Sequence, residues 1–367
     1  MLWAETDTSA GRLRLRCRLR CHHARLPGRN GPMTDANEFE LSCGLPPGPD
    51  FADLAVLAEE LGYARVWIFD SAPLWEDPFA HLALAATRTT RIGLATAVLI
   101  PTQRSVMTMA SGIATIARLS GGRFRACFGT GYTARMAIGQ RAMPLDALFD
   151  YVASVRRLLA GETTVLDGRA ARMLHWPGMA AARPVEVPLW LSVLGPRGNK
   201  RAPEVADGTI GPPHPTLPTT TMVSGTVLDP GEDPNSNRVR EAIGPWQVVG
   251  WHTTYAVRGA AGVDALPGGE QWRQALEGLA SEEERHLLTF EGHVTHLSER
   301  DRPLLEHIDV DTMAGDVYVG TLVGDAAGVG RKLGRLAEAG FREVMYTPSG
   351  PDVARELRAF ATAHRSR

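Results

Sequence analysis

The segment at residues 119–134, LSGGRFRACFGTGYTA, decides between two folds for this chain. A strand-like run at 123–129 ends in Gly129-Thr130-Gly131, and Ala134 completes a G-x-G-x-x-A pattern. That pattern is typical of the phosphate loop of a dinucleotide-binding sheet. It is equally typical of a glycine turn after a barrel strand, where the missing Cβ lets a ring or a phosphate approach the backbone.

The residues after the turn argue against the dinucleotide-binding fold. That fold needs a second strand ending in an acidic residue about 20 residues further on. Asp146 and Asp150 lie near that distance, but they belong to the segment 145–160, whose apolar residues recur with helical spacing. The next strand-like run begins only near residue 187. The sequence therefore favours the barrel turn, with a turn that binds no ligand as the remaining alternative.

The rest of the chain alternates apolar strands with amphipathic helices, which indicates a parallel sheet covered on both faces. The predicted strands are 39–45, 64–70, 91–100, 123–129 and 187–194. The predicted helices are 51–61 with Gly62 as its cap, 78–89, 105–119, 145–160, 197–206 and 325–339. This order fits either an open doubly wound sheet or a closed (βα)8 barrel.

A short internal repeat favours the closed barrel. The pattern Glu-x-Gly-aromatic-x-x-Val occurs at residues 60–66 and again at 338–344. In both copies a helix ends at glycine and a strand follows. The same unit near both ends of the chain is natural in a barrel, whose first and last strands are neighbours. Chance similarity is the alternative, because glycine-capped joints are common.

Three later segments complete the predicted architecture. Residues 210–245 hold seven prolines and few apolar runs, so we expect a long loop or insertion there. Residues 246–257, WQVVGWHTTYAV, are predicted as a strand, and 269–308 as helical. The fold class predicted is thus an α/β (βα)8 TIM barrel with a long insertion around residues 210–245.

Composition and charge limit the classes of partner. The 367 residues carry a net charge of -2, and 44% are hydrophobic, which favours neither nucleic acid nor a membrane as partner. Four cysteines do not make a disulfide framework, so we expect a cytoplasmic location. Residues 1–32 are arginine-rich, and we interpret them as a disordered leader before one domain at 33–367.

Five consecutive segments resemble the bacterial luciferase-like superfamily of flavin- and deazaflavin-dependent oxidoreductases. They are AEELGYARVWIFDS, TTRIGLATAV, ARLSGGRFRACFGTGY, YVASVRRLLAGETTVLDG and VPLWLSVLGPRGNKRAPEVADGTI, and two segments near the end of the chain also fit. GTGYTARMAIGQ and LGPRG are most similar to the branch that uses coenzyme F420, which includes methylenetetrahydromethanopterin reductase. The resemblance implies a (βα)8 barrel with the cofactor ring at its carboxyl-terminal mouth.

The resemblance also implies which residues form the site. Asp70 and Ser71 match a position where the family has an acid, often followed by histidine, and Ser71 departs from that pattern. Thr96 and Ala97 match a bulged strand behind the ring, which often contains a cis peptide. The segments that match cofactor-tail and phosphate contacts are Gly129, Thr130 and Gly131, then Leu194, Gly195, Pro196, Arg197 and Gly198.

Physical chemistry supports two of these assignments. A Gly-Pro-Arg-Gly turn that opens a helix offers free backbone N–H groups to a phosphate, and Arg197 adds a charged donor. Asp70, at a barrel mouth beside Trp67 and Trp75, is a candidate catalytic acid with a raised pKa. The alternatives are a solvated Arg197 at a helix start and an Asp70 that caps the following loop.

His293 is the second candidate catalytic residue, because its Gly-His segment matches the F420-dependent branch. The surrounding EGHVTH, residues 291–296, matches no standard metal signature, and we expect no metal site. A structural histidine is the alternative for His293. His252 is a similar candidate of lower rank.

The predicted function is hydride transfer between coenzyme F420 and a small molecule with a C=N or C=C bond, either pterin-like or a secondary metabolite. One alternative is an FMN-dependent monooxygenase that uses oxygen and receives reduced flavin from a separate reductase. Another is a catalytically silent barrel that binds flavin. The resemblance further implies a homodimer formed through helices within residues 78–119.

Overall fold

The computed structural model describes residues 39–307 and 319–367 and contains a closed barrel of eight parallel strands. The strands of the described chain are β1 (Glu40–Leu45), β2 (Arg65–Ile68), β3 (Gly93–Thr96), β4 (Phe124–Phe128), β5 (Thr164–Leu166), β6 (Arg169–Ala171), β7 (Leu189–Ser192), β8 (Gly208–Ile210), β9 (Thr219–Val227), β10 (Val319–Gly324) and β11 (Glu343–Tyr346). Their pairing runs β1-β2-β3-β4-β7-β8-β9-β11 and returns to β1. The predicted (βα)8 fold is confirmed.

Helices separate most of the barrel strands and form the outer layer. They are α1 (Phe51–Leu61), α2 (Pro78–Arg88), α3 (Val106–Leu119), α4 (Tyr132–Met136), α5 (Leu145–Ala160), α6 (Pro196–Arg201), α7 (Asn237–Gln247), α8 (Val249–Asp264), α9 (Gly269–Leu279), α10 (Arg285–Thr289), α11 (Ala326–Glu338) and α12 (Val353–Arg365). Short 3-10 turns cover Pro101–Gln103, Ala202–Glu204 and Arg302–His307. Within the described residues, none of these helices is long and apolar enough to cross a bilayer.

Helix α5 shows why the strongest periodic segments were predicted well. Its six buried residues lie on one face, and it begins and ends where the sequence predicts. Gly161 follows in the left-handed conformation with φ 83°, which only glycine adopts without a steric cost. The helix therefore covers the barrel between β4 and β7 because both its apolar face and its stop signal are local.

The two copies of the internal repeat lie on either side of β1. Gly62 and Gly340 both follow helices with positive φ, of 85° and 94°. β2 pairs with one edge of β1 and β11 with the other, both in parallel. The prediction that the first and last strands are neighbours is confirmed.

The interior of the barrel is filled by large side chains at alternate strand positions. Trp67 of β2 and Trp190 of β7 lie there with ring centroids 5.9 Å apart. Their size requires a small neighbour, since a Cβ at Gly208 would lie 2.2 Å from the Trp190 ring. At the start of the strands, the buried carboxylate of Glu343 accepts hydrogen bonds from Trp67 and Arg125. The barrel is thus a packed core closed by an ion pair at its amino-terminal end.

The prediction of a long insertion at 210–245 is wrong in its central part. β9 occupies Thr219–Val227 as a strand of the barrel, and α7 begins at Asn237. β10 pairs in parallel with the second half of β9. The strand escaped prediction because it is rich in threonine, yet Thr220 and Thr226 are fully buried, and Thr226 bonds to Glu356.

The predicted strand at 246–257 is also wrong, because this segment is helical. It comprises the end of α7 and the first half of α8. Val248 and His252 are buried four residues apart, and Trp251 and Tyr255 pack four residues apart against Trp272 and its neighbours. The spacing of four is helical, whereas the β-branched and aromatic composition suggested a strand.

The predicted helical region at 269–308 contains α9, α10 and a 3-10 turn, with irregular chain between them. The predicted leader at residues 1–32 lies outside the described residues, so its disorder stays a prediction. The same holds for the expected start of the folded domain at residue 33.

Candidate active site

The predicted site residues lie where neighbouring barrel strands end. Asp70 and Ser71 follow β2, Thr96 and Ala97 lie at the end of β3, and the glycine turn follows β4. Because β2, β3 and β4 pair side by side in parallel, their carboxyl ends meet at one mouth of the barrel. In (βα)8 enzymes this is the face that carries the catalytic residues.

Asp70 is buried at this mouth and is held by two donors. Its Oδ2 accepts hydrogen bonds from Arg104 Nη1 at 2.7 Å and from the backbone N–H of Ile100 at 3.1 Å. Its Oδ1 is enclosed and has no hydrogen-bond partner. Burial raises the pKa of Asp70, and the Arg104 charge opposes this only in part. Asp70 is therefore a carboxyl group with one free oxygen and an increased tendency to hold a proton.

Arg104 is a residue of this site that the sequence did not reveal. Its guanidinium bridges Asp70 and Asp77, with Nη2 2.6 Å from Asp77 Oδ2. The same group lies over the Phe79 ring at 5.2 Å, and Tyr151 donates its hydroxyl to the Arg104 carbonyl. A single arginine 34 residues after Asp70 carries no motif, so spacing gave no signal for this contact.

The surroundings of Asp70 differ from those expected. Trp67, which was predicted beside it, points into the barrel and donates its indole N–H to Glu343 Oε1 at 2.9 Å. Trp75 packs instead on Phe69, with centroids 5.6 Å apart. Enclosure by the barrel mouth, and not the Trp67 ring, accounts for the burial of the carboxyl group.

Ser71 follows Asp70 and is 4% exposed. Its carbonyl accepts backbone hydrogen bonds from Leu74 and Trp75, which closes the turn after β2. Its hydroxyl oxygen is buried without a partner. The position where the family resemblance implies a histidine thus carries a small, buried hydroxyl group.

The end of β3 departs from regular strand geometry. The peptide bond between Ala97 and Val98 is cis, as the resemblance implied for this segment. Thr96 Oγ1 bonds both the carbonyl and the N–H of Cys127, at 3.1 and 2.9 Å. The Thr96 hydroxyl therefore joins β3 to β4 directly before the cis peptide.

The glycine turn packs directly against this bulged segment. A Cβ at Gly129 would lie 2.5 Å from Val98 Cγ2, and one at Gly131 would lie 2.6 Å from Ile100 Cγ2. Gly131 also has a φ of 75° and precedes α4. The carbonyl of Thr130 accepts a hydrogen bond from the Met143 N–H. Close packing against Val98 and Ile100 thus requires glycine at both positions, and the hydrogen bond from Met143 holds the turn in place.

The segment from Leu194 to Gly198 leads from β7 into α6. Pro196 is the first residue of that helix, and Gly198 is buried against Val193. Leu194, Gly195, Pro196 and Arg197 are exposed. The Arg197 side chain is 71% exposed and lies 3.2 Å from Asp146. A cavity of about 580 Å³ adjoins this segment, lined among others by Leu194, Pro196 and Lys200.

Helices α7 to α10 pack beside the mouth through side chains that no motif revealed. Trp246 meets Phe69 edge to face with centroids 6.5 Å apart, and its indole nitrogen is enclosed without a partner. Tyr132 of α4 donates its hydroxyl to the Thr253 carbonyl of α8 at 3.5 Å. Ser349, after β11, donates to the Ala242 carbonyl of α7.

His293 lies within this helical layer. Its Nδ1 is 3.3 Å from Nδ1 of His252, and its ring meets Phe290 edge to face. Burial and the neighbouring His252 lower the pKa of His293 to about 3. None of its contacts involves Asp70, so the two candidate catalytic residues belong to different clusters. In the described part of the chain, no group of three or more potential ligands is arranged to hold a metal ion.

Comparison with known proteins connects this geometry to a family. The model of a family described as luciferase-like monooxygenase matches residues 23–220, which are 198 of the 367 residues. A 5,10-methylenetetrahydromethanopterin reductase of Methanolobus tindarius is 34% identical over 168 residues, which are 45% of this chain and 50% of the relative. An F420-dependent glucose-6-phosphate dehydrogenase of Nakamurella multipartita is 30% identical over 54% of this chain and 60% of the relative. The chain thus matches between half and three fifths of the length of these curated relatives.

Solved structures share the fold. An F420-dependent secondary alcohol dehydrogenase in complex with an F420-acetone adduct has a TM-score of 0.59 at 16% identity, over 90% of this chain and 99% of the other. The coenzyme F420 dependent tetrahydromethanopterin reductase from Methanopyrus kandleri has the same score at 19% identity, over 88% and 97%. The family match covers more than half of the residues and includes the ends of β2, β3 and β4. This chain belongs to the luciferase-like monooxygenase family.

Proposed function

We propose that this chain is an oxidoreductase that transfers a hydride between coenzyme F420 and a small organic substrate at the mouth of the barrel. The observation that supports this most is the grouping of three segments at the ends of β2, β3 and β4. The Asp70–Ser71 pair, the bulged segment at Ala97 and the turn at Gly129–Gly131 follow strands that pair directly with one another.

The curated relatives support the choice of cofactor. The Nakamurella multipartita enzyme is named for F420, and the Methanolobus tindarius enzyme for methylenetetrahydromethanopterin reduction. Because each match covers only part of the relative, the activity of the whole protein is part of the proposal. The solved structures, below 25% identity, contribute the fold and nothing more.

The residues at the mouth fit a flat, polar heterocycle. Asp70 Oδ1, Ser71 Oγ and Trp246 Nε1 are buried without partners, and native proteins rarely leave such atoms unpaired. A ring that carries both acceptors and N–H donors would satisfy them. The backbone at Ala97 and the turn at Gly129–Gly131 would face that ring and its tail, and the exposed segment from Leu194 to Gly198 would receive a phosphate.

When bound, the deazaflavin would supply the carbon that accepts or donates the hydride. The side chains of this protein would orient the reactants, exclude water and hold a proton. Asp70 suits the last role because burial raises its pKa, which favours a protonated carboxyl group that can act as a general acid. Arg104 limits that rise and keeps the carboxyl group in one orientation through Oδ2.

The substrate proposed is a small molecule with a reducible C=N or C=C bond, either pterin-like or a secondary metabolite. Trp75 and Trp246 both pack against Phe69, which directly follows β2, and an aromatic group of this kind suits a planar compound. A cytoplasmic location stays a prediction.

A titration of the full chain with F420 and, separately, with FMN tests this function. We expect F420 to bind at least about tenfold more tightly than FMN, a difference of about 1.4 kcal/mol. Tight binding of FMN alone would overturn the proposal and favour a monooxygenase that receives reduced flavin from a separate reductase. Binding of neither cofactor would overturn both and leave a catalytically silent barrel.

A homodimer is part of the same proposal. The expected interface involves α2 and α3, on which Leu84 is 55% exposed. A cavity of about 850 Å³ lies between these helices and the chain after β6, with Phe79, Met107 and Leu174 among its lining residues. Light scattering of the full chain should give twice the mass of 39.7 kDa. A monomeric mass at micromolar concentration would contradict this.

A further inference from the structure

A cluster of buried polar side chains joins α8, α9 and the chain after α10. We call its members His252, His293, Trp272 and Asp301 the histidine cluster. The side chains of His252 and Asp301 are fully buried, and His293 is 6% exposed. Buried titratable groups in direct contact need a chemical reason, because each charged form is costly without a partner.

Hydrogen-bond directions within the histidine cluster follow from the carboxylate. Asp301 Oδ1 accepts the indole N–H of Trp272 at 2.7 Å and lies 3.1 Å from His252 Nε2. Burial opposes ionisation, but the hydrogen bonds from His252 and Trp272 and the charge of Arg300 together lower the pKa of Asp301. An ionised carboxylate can only accept, so His252 must carry a hydrogen on Nε2.

The tautomer of His252 determines that of His293. In neutral His252 the hydrogen is on Nε2, so Nδ1 carries the lone pair. His293 Nδ1 lies 3.3 Å from that atom and must donate to it. His293 Nε2 is then the unprotonated nitrogen, and it has no hydrogen-bond partner among the residues that the structure describes.

We propose that Asp301 and His252 are positioning residues for His293. They hold His293 in the tautomer whose Nε2 can accept a proton, and they place the resulting positive charge on His252, next to Asp301. When Nε2 accepts a proton from a bound molecule, the Nδ1 proton of His293 passes to Nδ1 of His252. One proton enters, one moves between the rings, and His252 becomes an imidazolium beside the Asp301 carboxylate. The steps reverse when the proton returns.

The surroundings of His252 and His293 differ. His293 lies against Phe290 and His252, and burial together with His252 lowers its pKa to about 3, so it does not itself hold a charge. His252 contacts a carboxylate directly. The other charged groups near the cluster are Arg300, whose Nε lies 3.7 Å from Asp301 Oδ1, and Glu291, which lies 3.7 Å from Arg300 Nη1.

Two hydrogen bonds connect segments next to the cluster with chain that follows barrel strands β4 and β11. The carbonyl of Thr253, the residue after His252, accepts a hydrogen bond from the Tyr132 hydroxyl. Tyr132 lies on α4, the helix that follows the glycine turn. Thr295, two residues after His293, accepts the backbone N–H of Gly350 beyond β11. The role proposed for His293 rests on the proposed function, because the proton would be exchanged with a molecule bound at the barrel mouth.

Nitrogen NMR of the full chain labelled with ¹⁵N-histidine tests the arrangement without any cofactor. We expect His293 to carry its hydrogen on Nδ1 and His252 on Nε2 when both rings are neutral, with signals assigned from the variants His252→Gln and His293→Gln. A hydrogen on His293 Nε2 would overturn the proposal.

The variant Asp301→Asn separates positioning from packing. It keeps the size of the side chain but removes the charge, so the His252 and His293 tautomers should no longer be unique. The control variant His286→Gln, on α10 beside the cavity at Gly139, should leave both signal patterns unchanged. An unchanged pattern in Asp301→Asn would overturn the proposal. If this variant fails to fold, the wild-type tautomers alone decide. If the chain shows these tautomers but binds neither F420 nor FMN, the proposed function is refuted, while the proposed hydrogen-bond arrangement of the histidine cluster still holds.

Discussion

Arg104 lies 2.7 Å from Asp70 and contacts the same carboxyl oxygen that accepts the Ile100 N–H. Both donors therefore act on Oδ2, and Oδ1 stays free and enclosed. This asymmetry fixes the orientation of the carboxyl group, and a proton on it would reside on Oδ1. Burial raises the pKa of Asp70 while Arg104 opposes the rise, so the two effects set the protonation state of the candidate acid.

The variant Arg104→Gln should raise the pKa of Asp70 further, because it removes the charge that favours the carboxylate. Carbon NMR of the full chain with ¹³C-labelled aspartate would follow the titration. The variant Asp77→Asn is the matched control, since it removes a nearby negative charge and should lower the pKa of Asp70. A pKa that is unchanged or lower in Arg104→Gln would contradict this role of Arg104.

The sign of the linked stability follows from the direction of that shift. The folded-state pKa of Asp70 lies above its unfolded value, so protonated Asp70 stabilises the fold at low pH. That contribution is complete below the unfolded pKa and is lost as the pH rises through the folded pKa. Burial of the ionised form of Asp70 is thus a local cost, which native sites of catalysis commonly bear.

Sequence patterns predicted the parts of this molecule that depend on local signals. Helix α5 has an apolar face and a glycine cap, and both its ends were predicted correctly. The position of Asp70 at a strand end was likewise predictable from the run that precedes it. β9 was missed because its threonines satisfy their hydroxyl groups through partners distant in sequence, such as Glu356 for Thr226.

The contacts of the candidate site lie beyond such signals. Arg104 reaches Asp70 across 34 residues, and His252 reaches Asp301 across 49. Neither pair has a spacing that belongs to a known motif. The two contacts are therefore visible only in the folded structure. The segment 246–257 is predicted as a strand from its β-branched and aromatic composition. In the structure, packing against Trp272 favours the helical spacing of four residues that the same segment also contains.

Glu343 should stabilise the fold strongly at neutral pH. Burial opposes its charge, but Arg65 and Arg125 together with the Trp67 bond lower its pKa from 4.5 to about 2. A lowered carboxyl pKa contributes stability above the unfolded value, which is lost as the pH falls from about 4.5 to about 2. Glu343→Gln should therefore reduce the free energy of unfolding at pH 7 by about 3 kcal/mol.

Urea denaturation at pH 7 and at pH 3 measures this effect. The difference between wild type and Glu343→Gln should shrink at pH 3, because this pH lies between the unfolded and folded pKa values of Glu343 and part of the stabilisation from the ionised carboxylate is then lost. Glu338→Gln, an exposed change at the end of α11, is the control and should alter stability by no more than about 0.5 kcal/mol. Equal losses for Glu343→Gln at both pH values would argue against an electrostatic origin.

Gly129 should be required for packing against the bulged end of β3. The variant Gly129→Ala places a Cβ 2.5 Å from Val98 Cγ2, and Val98 is β-branched and cannot turn aside easily. We expect a loss of about 1–3 kcal/mol in unfolding free energy. The double variant Gly129→Ala with Val98→Ala should recover part of that loss, as a double-mutant cycle would show. Strict additivity of the two changes would disprove the contact as the cause.

Arg197 should contribute to binding of a phosphorylated cofactor while leaving the fold unaffected. Its side chain is 71% exposed and pairs with Asp146 on the surface, so its removal costs the folded protein little. If the segment from Leu194 to Gly198 receives the cofactor phosphate, Arg197→Gln should weaken F420 binding by about three- to tenfold, since a charged donor is lost. Arg118→Gln, a change at another exposed arginine, on α3, is the control. Titration of the wild type and both variants with F420 measures this effect. If Arg197→Gln binds F420 as tightly as the wild type, Arg197 contributes only to the surface ion pair, as expected for a solvated residue at the start of a helix.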